Sequence, residues 1–295
     1  MTQAMAELKQ EITIEPRSYY REAIDKLIRR PAAVISVSIL LLLILGAIFA
    51  PLLTSYSPIA GNIAVRLVSL GSPDHFLGTD EQGRDMFSRL LYGGRLSLLV
   101  GILPVAIATI LGTMIGSISG YVKGPLAGLL MRLMDMSYAF PAVILAIGIT
   151  AALGPGMKNS IIAIAIVFTP PIARVAEGAT KQVVVQEYVE AARISGASNI
   201  QMVMTQVLPN IIGTVLVYSA GLFGVSIVLG SGLSFLGLGA APPTPEWGYM
   251  LSTLRGSMYV QPVVVALPGF FIFITSIAFN ILSDEIHDAL DLHEM

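Results

Sequence analysis

Side chains suited to chemistry are scarce in this 295-residue chain, which has three histidines and no cysteine. An enzyme needs a nucleophile with its base, or a set of metal ligands, within reach of one another. His75, His287 and His293 all fall outside the long apolar stretches, so serine or zinc chemistry inside a membrane has little to work with. Nucleotide signatures fail on single residues. Gly154-Pro155-Gly156-Met157-Lys158-Asn159-Ser160 imitates a phosphate loop but has methionine where glycine must precede the lysine. Gly230-Ser231-Gly232 is followed by Phe235 where a dinucleotide fingerprint needs its third glycine. No catalytic residue, metal or cofactor is expected, and a net charge of −2 gives no reason to invoke nucleic acid.

A readable pattern does lie between Lys181 and Pro209. Val184, Val185, Tyr188, Val189 and Ala192 recur at helical spacing, and Gly196 stands where such a helix would end on a left-handed residue. Ser198-Asn199-Ile200-Gln201 then has capping-box spacing for a second short helix, which Pro209 limits. Ala191 and Ala192 allow close backbone approach, while Glu190 and Arg193 offer charge. The pair of helices reads either as a knob for a partner or as a loop packed under its own bundle. One acid, Asp135, lies close to an apolar stretch with Arg132 three residues away, which reads as an interfacial pair. A proton relay through Asp135 is what a secondary, ion-coupled transporter would need instead.

These groups are positioned by apolar elements. A composition 55% hydrophobic and 12% charged does not balance the surface of a soluble domain this long. Crossing a hydrocarbon core roughly 30 Å thick takes about 20 residues of helix. Stretches at 32–53, 96–118, 133–153, 160–172, 211–229 and 263–282 are the candidates. The fourth is short and is interrupted by Pro170 and Pro171, which are expected to kink or end it. Lys9, Arg17, Arg21, Lys26, Arg29 and Arg30 precede the first span and favour keeping the N-terminus in the cytoplasm. Six crossings then return the C-terminus inside and put residues 181–209 on the cytoplasmic face. A cleaved signal peptide fits the first span poorly, because the run is long and lacks a small-x-small site.

The expected layout is therefore all-α: a cytoplasmic segment 1–31, a first transmembrane helix 32–53, an outer segment 54–95, a core 96–282 with five further helices, and a cytoplasmic tail 283–295. In the outer segment, Thr79-Asp80-Glu81-Gln82 has capping-box spacing for an amphipathic helix. Its apolar stripe is Met86, Phe87, Leu90 and Leu91, and the helix would rest on the membrane interface or pack as a lid on the bundle. Gly213, Gly221 and Gly224 in the fifth span suit close helix crossings.

Glu190-Ala191-Ala192, then Gly196, then Leu208-Pro209 resembles the EAA loop of binding-protein-dependent ABC permeases, with Gln206 where an aliphatic residue is usual. Phe76-Leu77-Gly78-Thr79-Asp80 with Gly83-Arg84-Asp85, and Leu233 to Gly239 followed by Trp247-Gly248, are similar to the dipeptide, oligopeptide and nickel permease subfamily. The closing Asp284, Asp288, Ala289, Leu290 and Asp291 also resemble that subfamily, with His287 and Leu292 in place of its usual Arg and Pro. Gly230-Ser231 stands where many relatives carry an acid.

The resemblance implies a type I ABC importer permease fold in a bacterial inner membrane. It also implies that Glu190, Ala191, Ala192, Arg193, Gly196, Leu208 and Pro209 couple to an ATPase. The implied partners are a second homologous permease subunit, two cytoplasmic ATPase subunits and a periplasmic or lipid-anchored solute-binding protein, all within membrane lipid. The implied solutes are di- or oligopeptides, with nickel chelates, glutathione or sugar-derived compounds as alternatives.

Overall fold

A computed structural model describes residues 26–122 and 124–291. Lys9, Arg17, Arg21, His293, Leu292 and nearly all of the expected segment 1–31 lie outside the described residues. Helix α1, Pro31–Ile48, opens with proline in its first turn, where the missing donor costs nothing. It breaks at Phe49 because Pro51 has no N–H to give Ala47, and the amide of Leu52 bonds Phe49 O instead. A short turn, Ala50–Leu53, follows. The two freed carbonyls are taken by one side chain from the next helix: Arg95 donates to Ala47 O at 2.7 Å and to Ile48 O at 3.0 Å.

Helix α2, Met86–Tyr121, is 36 residues long and begins later than the capping-box spacing suggested. Thr79 does not cap a helix: its hydroxyl accepts from Val68 N at 2.9 Å, and Asp80 stands in no helical turn. Its Oδ1 accepts from the amides of Gln82 and Arg84, each at 2.9 Å, closing a tight turn with Gly83 at φ +70°. Asp85 is the cap, accepting from Ser88 N at 2.7 Å. The expected amphipathic helix is thus the first turns of α2, and both its faces are covered: Met86, Leu90, Arg84, Asp85, Ser88 and Arg89 are all buried. It packs on the bundle.

The expected third span is two helices, α3, Pro125–Tyr138, and α4, Ala142–Leu153, which meet at 97°. Pro141 at the head of α4 disfavours a helical conformation at Phe140 before it, and twelve residues rise only about 18 Å, too little to cross alone. Pro170 and Pro171 do not end the fourth span. They sit inside α5, Met157–Val184, a 28-residue helix. Its packing against α2 is what tolerates them. Gly112, Gly116 and Gly120 of α2 bring that backbone onto Ile172, Ala173, Ala176 and Thr180, so close that a Cβ at Gly116 would stand 2.3 Å from Ala173 O.

After α5 come α6, Glu187–Ile194, and a four-residue helix, Asn199–Met202. Pro209 does not limit that second helix. An i→i+5 turn at Val203–Val207 carries the chain straight into α7, Leu208–Phe235, with Leu208 N bonded to Val203 O and the Asn210 amide covering Gln206 O at 2.6 Å. Beyond α7, α8 is Trp247–Leu254 and α9 is Pro262–Asp291. The expected tail from 283 is therefore helical through Asp291. Of the three glycines singled out in α7, Gly224 meets Asn280 and Ser276 of α9 closely and Gly221 touches Ser283, whereas Gly213 has nothing within 4 Å.

Five helices of the described residues are long and apolar enough to cross a membrane, and the α3–α4 pair, bent by 97°, brings the number to six when it is taken as one span. Their ends agree on two faces. Arg30, before α1, pairs with Glu285 at 2.8 Å and Asp288 at 3.1 Å near the end of α9. These carboxylates raise the Arg30 pKa, and the pairs put the start of α1 and the last turns of α9 on one face. On the opposite face, Thr54 hydrogen-bonds Ser88 at the head of α2, and Gly156 N bonds Leu238 O. The far end of α2, Tyr121, bonds Asn199, which puts α6 and the short helix on the same face as Arg30 and Glu285.

Candidate functional site

The two-helix loop is built as its spacing suggests in some places and not in others. Helical structure breaks at Val185 and Gln186, so Val184 belongs to α5 and α6 starts at Glu187. Gly196 closes α6 at φ +86°, a conformation that costs an L-residue roughly 1–2 kcal/mol. Ser198 caps the short helix through Gln201 N at 3.3 Å. Of the apolar stripe, only Val189 is fully buried. Tyr188 is half exposed and Val185 is 80% exposed, as are Ile194 at 81% and Ile200 at 79%. Such apolar surface on one short loop is the kind that partners cover.

Glu190, Ala191, Arg193 and Gly196 are all exposed, and Ala192 is half-buried against the core. Glu190 and Arg193 hold each other at 2.9 Å across one turn, both about half exposed, a pairing worth little by itself and easily exchanged for a partner. Leu208 and Pro209 lie away from this knob, at the head of α7, where Leu208 packs inward. The loop and its approach are thus two places in the fold, not one patch.

Below the loop, charge is organised differently from the expected Arg132–Asp135 pair. Asp135 of α3 bonds Arg174 of α5, and Glu177 holds both Arg174 at 3.3 Å and Lys181 at 2.7 Å. Asp135 is thus engaged by a cation from a neighbouring helix. Tyr121 and Asn199, whose hydroxyl and carboxamide oxygens are 3.1 Å apart, carried no sequence signal of their own. The Gly112, Gly116, Gly120 spacing could have pointed to the helix pair that places Tyr121. A cavity of about 1000 Å3 opens here, lined by the ends of α2 and α5, the start of α3, and α6.

The opposite face carries a second organised cluster. Asp80, 1% exposed, takes Arg84 Nε at 2.6 Å and faces Arg89 Nε at 3.3 Å, while Arg89 reaches Pro58 O at 2.8 Å. His75 Nδ1 is 3.0 Å from Asp85 Oδ1. This network ties residues 54–85 to the head of α2. Glu246, in the segment joining α7 to α9, caps α8 through the amides of Gly248 at 3.0 Å and Tyr249 at 2.8 Å and accepts from Ser97 at 2.9 Å. Burial pushes its carboxyl up, against these donors. Trp247 beside it donates to Leu90 O at 2.9 Å. His75 and His287 are far apart in these arrangements, and no metal-binding group of histidine or acid side chains occurs among the described residues.

Residues 112–293 match the family described as binding-protein-dependent transport system inner membrane component, and residues 18–69 match the N-terminal transmembrane domain of oligopeptide transport permease C. The chain is 41% identical to the dipeptide transport system permease protein of Alkalihalophilus pseudofirmus, over 93% of this chain and 90% of that one. It is 42% identical to the glutathione transport system permease protein of Salmonella paratyphi A, over 93% and 91%. The fold resembles a chain of the inward-facing MetNI methionine ABC transporter, with a TM-score of 0.52 at 18% identity, over 68% of this chain and 97% of that one. Several apolar spans, an exposed two-helix loop and these matches have one common reading: the chain belongs to the binding-protein-dependent ABC importer permeases of the oligopeptide permease C kind, membrane proteins that work with an ATPase and a substrate-binding protein.

Proposed function

We propose that this permease imports di- or oligopeptides, that its partner across the translocation path is a second, homologous permease subunit, and that ATP is hydrolysed on two separate cytoplasmic subunits. The names of the dipeptide and glutathione relatives support the solute class. A periplasmic or lipid-anchored binding protein delivers the solute. The face shared by Arg30, Glu285 and α6 is cytoplasmic, which agrees with the basic residues Lys26, Arg29 and Arg30 before α1.

The observation that carries the reading is the loop itself. Val185, Ile194 and Ile200 stay exposed around an easily broken Glu190–Arg193 pair, on a helix whose bundle takes up only Val189. A knob of this kind, held in an ATPase groove, turns approach and separation of the ATPases into rocking of the spans. Glu190, Ala191, Ala192, Arg193 and Gly196 make the contact, and Leu208 with Pro209 fix how the loop enters α7.

Glu190→Ala and Gly196→Val each leave the protein in the membrane, weaken ATPase retention in a pull-down of the complex, and uncouple ATP hydrolysis from uptake. Normal ATP-driven uptake by both variants refutes the docking role. Uptake by this chain alone in liposomes under a proton gradient refutes the requirement for an ATPase.

A further inference from the structure

The first helix of the loop, α6, hangs from the bundle by little. Val189 is the one fully buried side chain of α6, and beside it lies the cavity of about 1000 Å3 that separates α6 from the ends of α2, α3 and α5. Packed atoms transmit a displacement and empty space does not. Besides the chain's own links to α5 and α7, a movement of α6 reaches α2 through the few side chains that bridge the gap.

Tyr121 bridges to both halves of the loop at once. It is the last residue of α2 and only 9% exposed. Its hydroxyl donates to Asn199 Oδ1 at 3.1 Å, in the short second helix. Its ring receives the guanidinium of Arg193 from α6, 6.0 Å above the centroid, while Arg193 also holds Glu190. On its other side Tyr121 follows Gly120, whose Cα lies so close to Thr180 and Glu177 of α5 that a Cβ would meet them at 2.7 and 2.9 Å. What Tyr121 feels is thus passed to two helices packed backbone to backbone.

We propose that Tyr121 is the latch that transmits displacement of the two-helix loop to α2 and α5, acting as a positioning residue through Asn199 and Arg193. This rests on the reading of the loop as the ATPase dock. A merely space-filling tyrosine needs its ring and not its hydroxyl, whereas a latch needs both.

The test uses the assembled importer, with its partner permease, ATPases and binding protein, in liposomes, and reads ATP hydrolysed per solute imported. Tyr121→Phe and Asn199→Ala each raise that ratio, by roughly two- to thirtyfold. The double variant is no worse than either single one, because one hydrogen bond is lost in all three. Tyr121→Leu, which also removes the ring under Arg193, raises it further. If Tyr121→Leu fails to assemble, the Phe and Asn199→Ala variants, which keep the core volume, decide the matter. An unchanged ratio in both of them, or additive effects in the double variant, overturns the latch. Should Glu190→Ala and Gly196→Val abolish ATPase retention while the Tyr121 ratio stays unchanged, only the latch falls; if they leave retention and uptake intact, the docking reading falls first.

Discussion

Gly116→Ala adds one methyl group to α2, and the structure gives that methyl group no room. Its Cβ would stand 2.3 Å from Ala173 O, 2.6 Å from Ala176 Cβ and 2.8 Å from Glu177 N. Two of these three are backbone atoms of α5, so no rotamer change relieves them. Ordinary contact begins near 3.4 Å, so the two helices must part by about 1 Å. A gap of that size forfeits about a quarter to a half of the dispersion energy of the atoms along it, and overpacking of this kind costs about 1–3 kcal/mol. Gly112 and Gly120 share the same interface, with Cβ contacts of 2.8 and 2.7 Å, so the loss extends beyond one residue and we expect the upper half of that range.

The assay is built into the chain. Trp247 is the sole tryptophan and is 1% exposed, so its fluorescence in a titration from mild detergent into SDS follows unfolding. Gly178→Ala, on α5 with nothing within 4 Å, is the control. It keeps or slightly raises the midpoint, because alanine is favoured over glycine in a helix by about 1 kcal/mol. If Gly116→Ala and Gly178→Ala unfold together at the wild-type midpoint, the close α2–α5 approach is wrong.

Asp80→Ala leaves Arg84 and Arg89 buried without their shared carboxylate and lowers stability by about 3–5 kcal/mol in the same titration. Arg95→Met uncovers the carbonyls of Ala47 and Ile48, and a cost of about 1–3 kcal/mol is expected; Arg95→Lys, lacking the fork that reaches both, recovers only part of it. Glu246→Gln keeps one acceptor oxygen for Ser97 and Gly248 but turns a donor toward Tyr249 N, and costs less than Glu246→Ala, which orphans the donors of Ser97, Gly248 and Tyr249 and destabilises by about 1–3 kcal/mol. Because burial raises the Glu246 carboxyl, its contribution is fully present below its ordinary value of 4.5 and is lost as pH rises through the higher folded-state value. Unfolding midpoints measured against pH test this: wild type loses stability over that window, and Glu246→Gln does not.

Much of this protein is decided by short-range features. An apolar run of the right length has only the bilayer to go to, which is why the first, second, fifth and sixth spans stand near their expected positions. Gly196 and Ser198 act within one turn of backbone, so the turn between the two loop helices is legible from residue type alone. Other features depend on partners distant in the chain. Pro170 and Pro171 break an isolated helix, but α2 lies against the turns that follow them through three glycines 50 to 60 residues earlier, and α5 runs on. Asp80 could stand in the first turn of a helix or close a turn of its own, and the buried guanidiniums of Arg84 and Arg89 select the latter.

The same division runs through the site. Glu190, Ala191, Ala192, Arg193 and Gly196 are neighbours in sequence and remain neighbours in space. Residue types alone left open which of them face inward, because a helical stripe cannot say which of its members finds a covering element. The fold buries Val189, leaves Val185 and Tyr188 outside, and swings Asp135 from Arg132 to Arg174. Tyr121 reaches Asn199 across 78 residues of chain, a meeting that only the packing of α2 against α5 brings about.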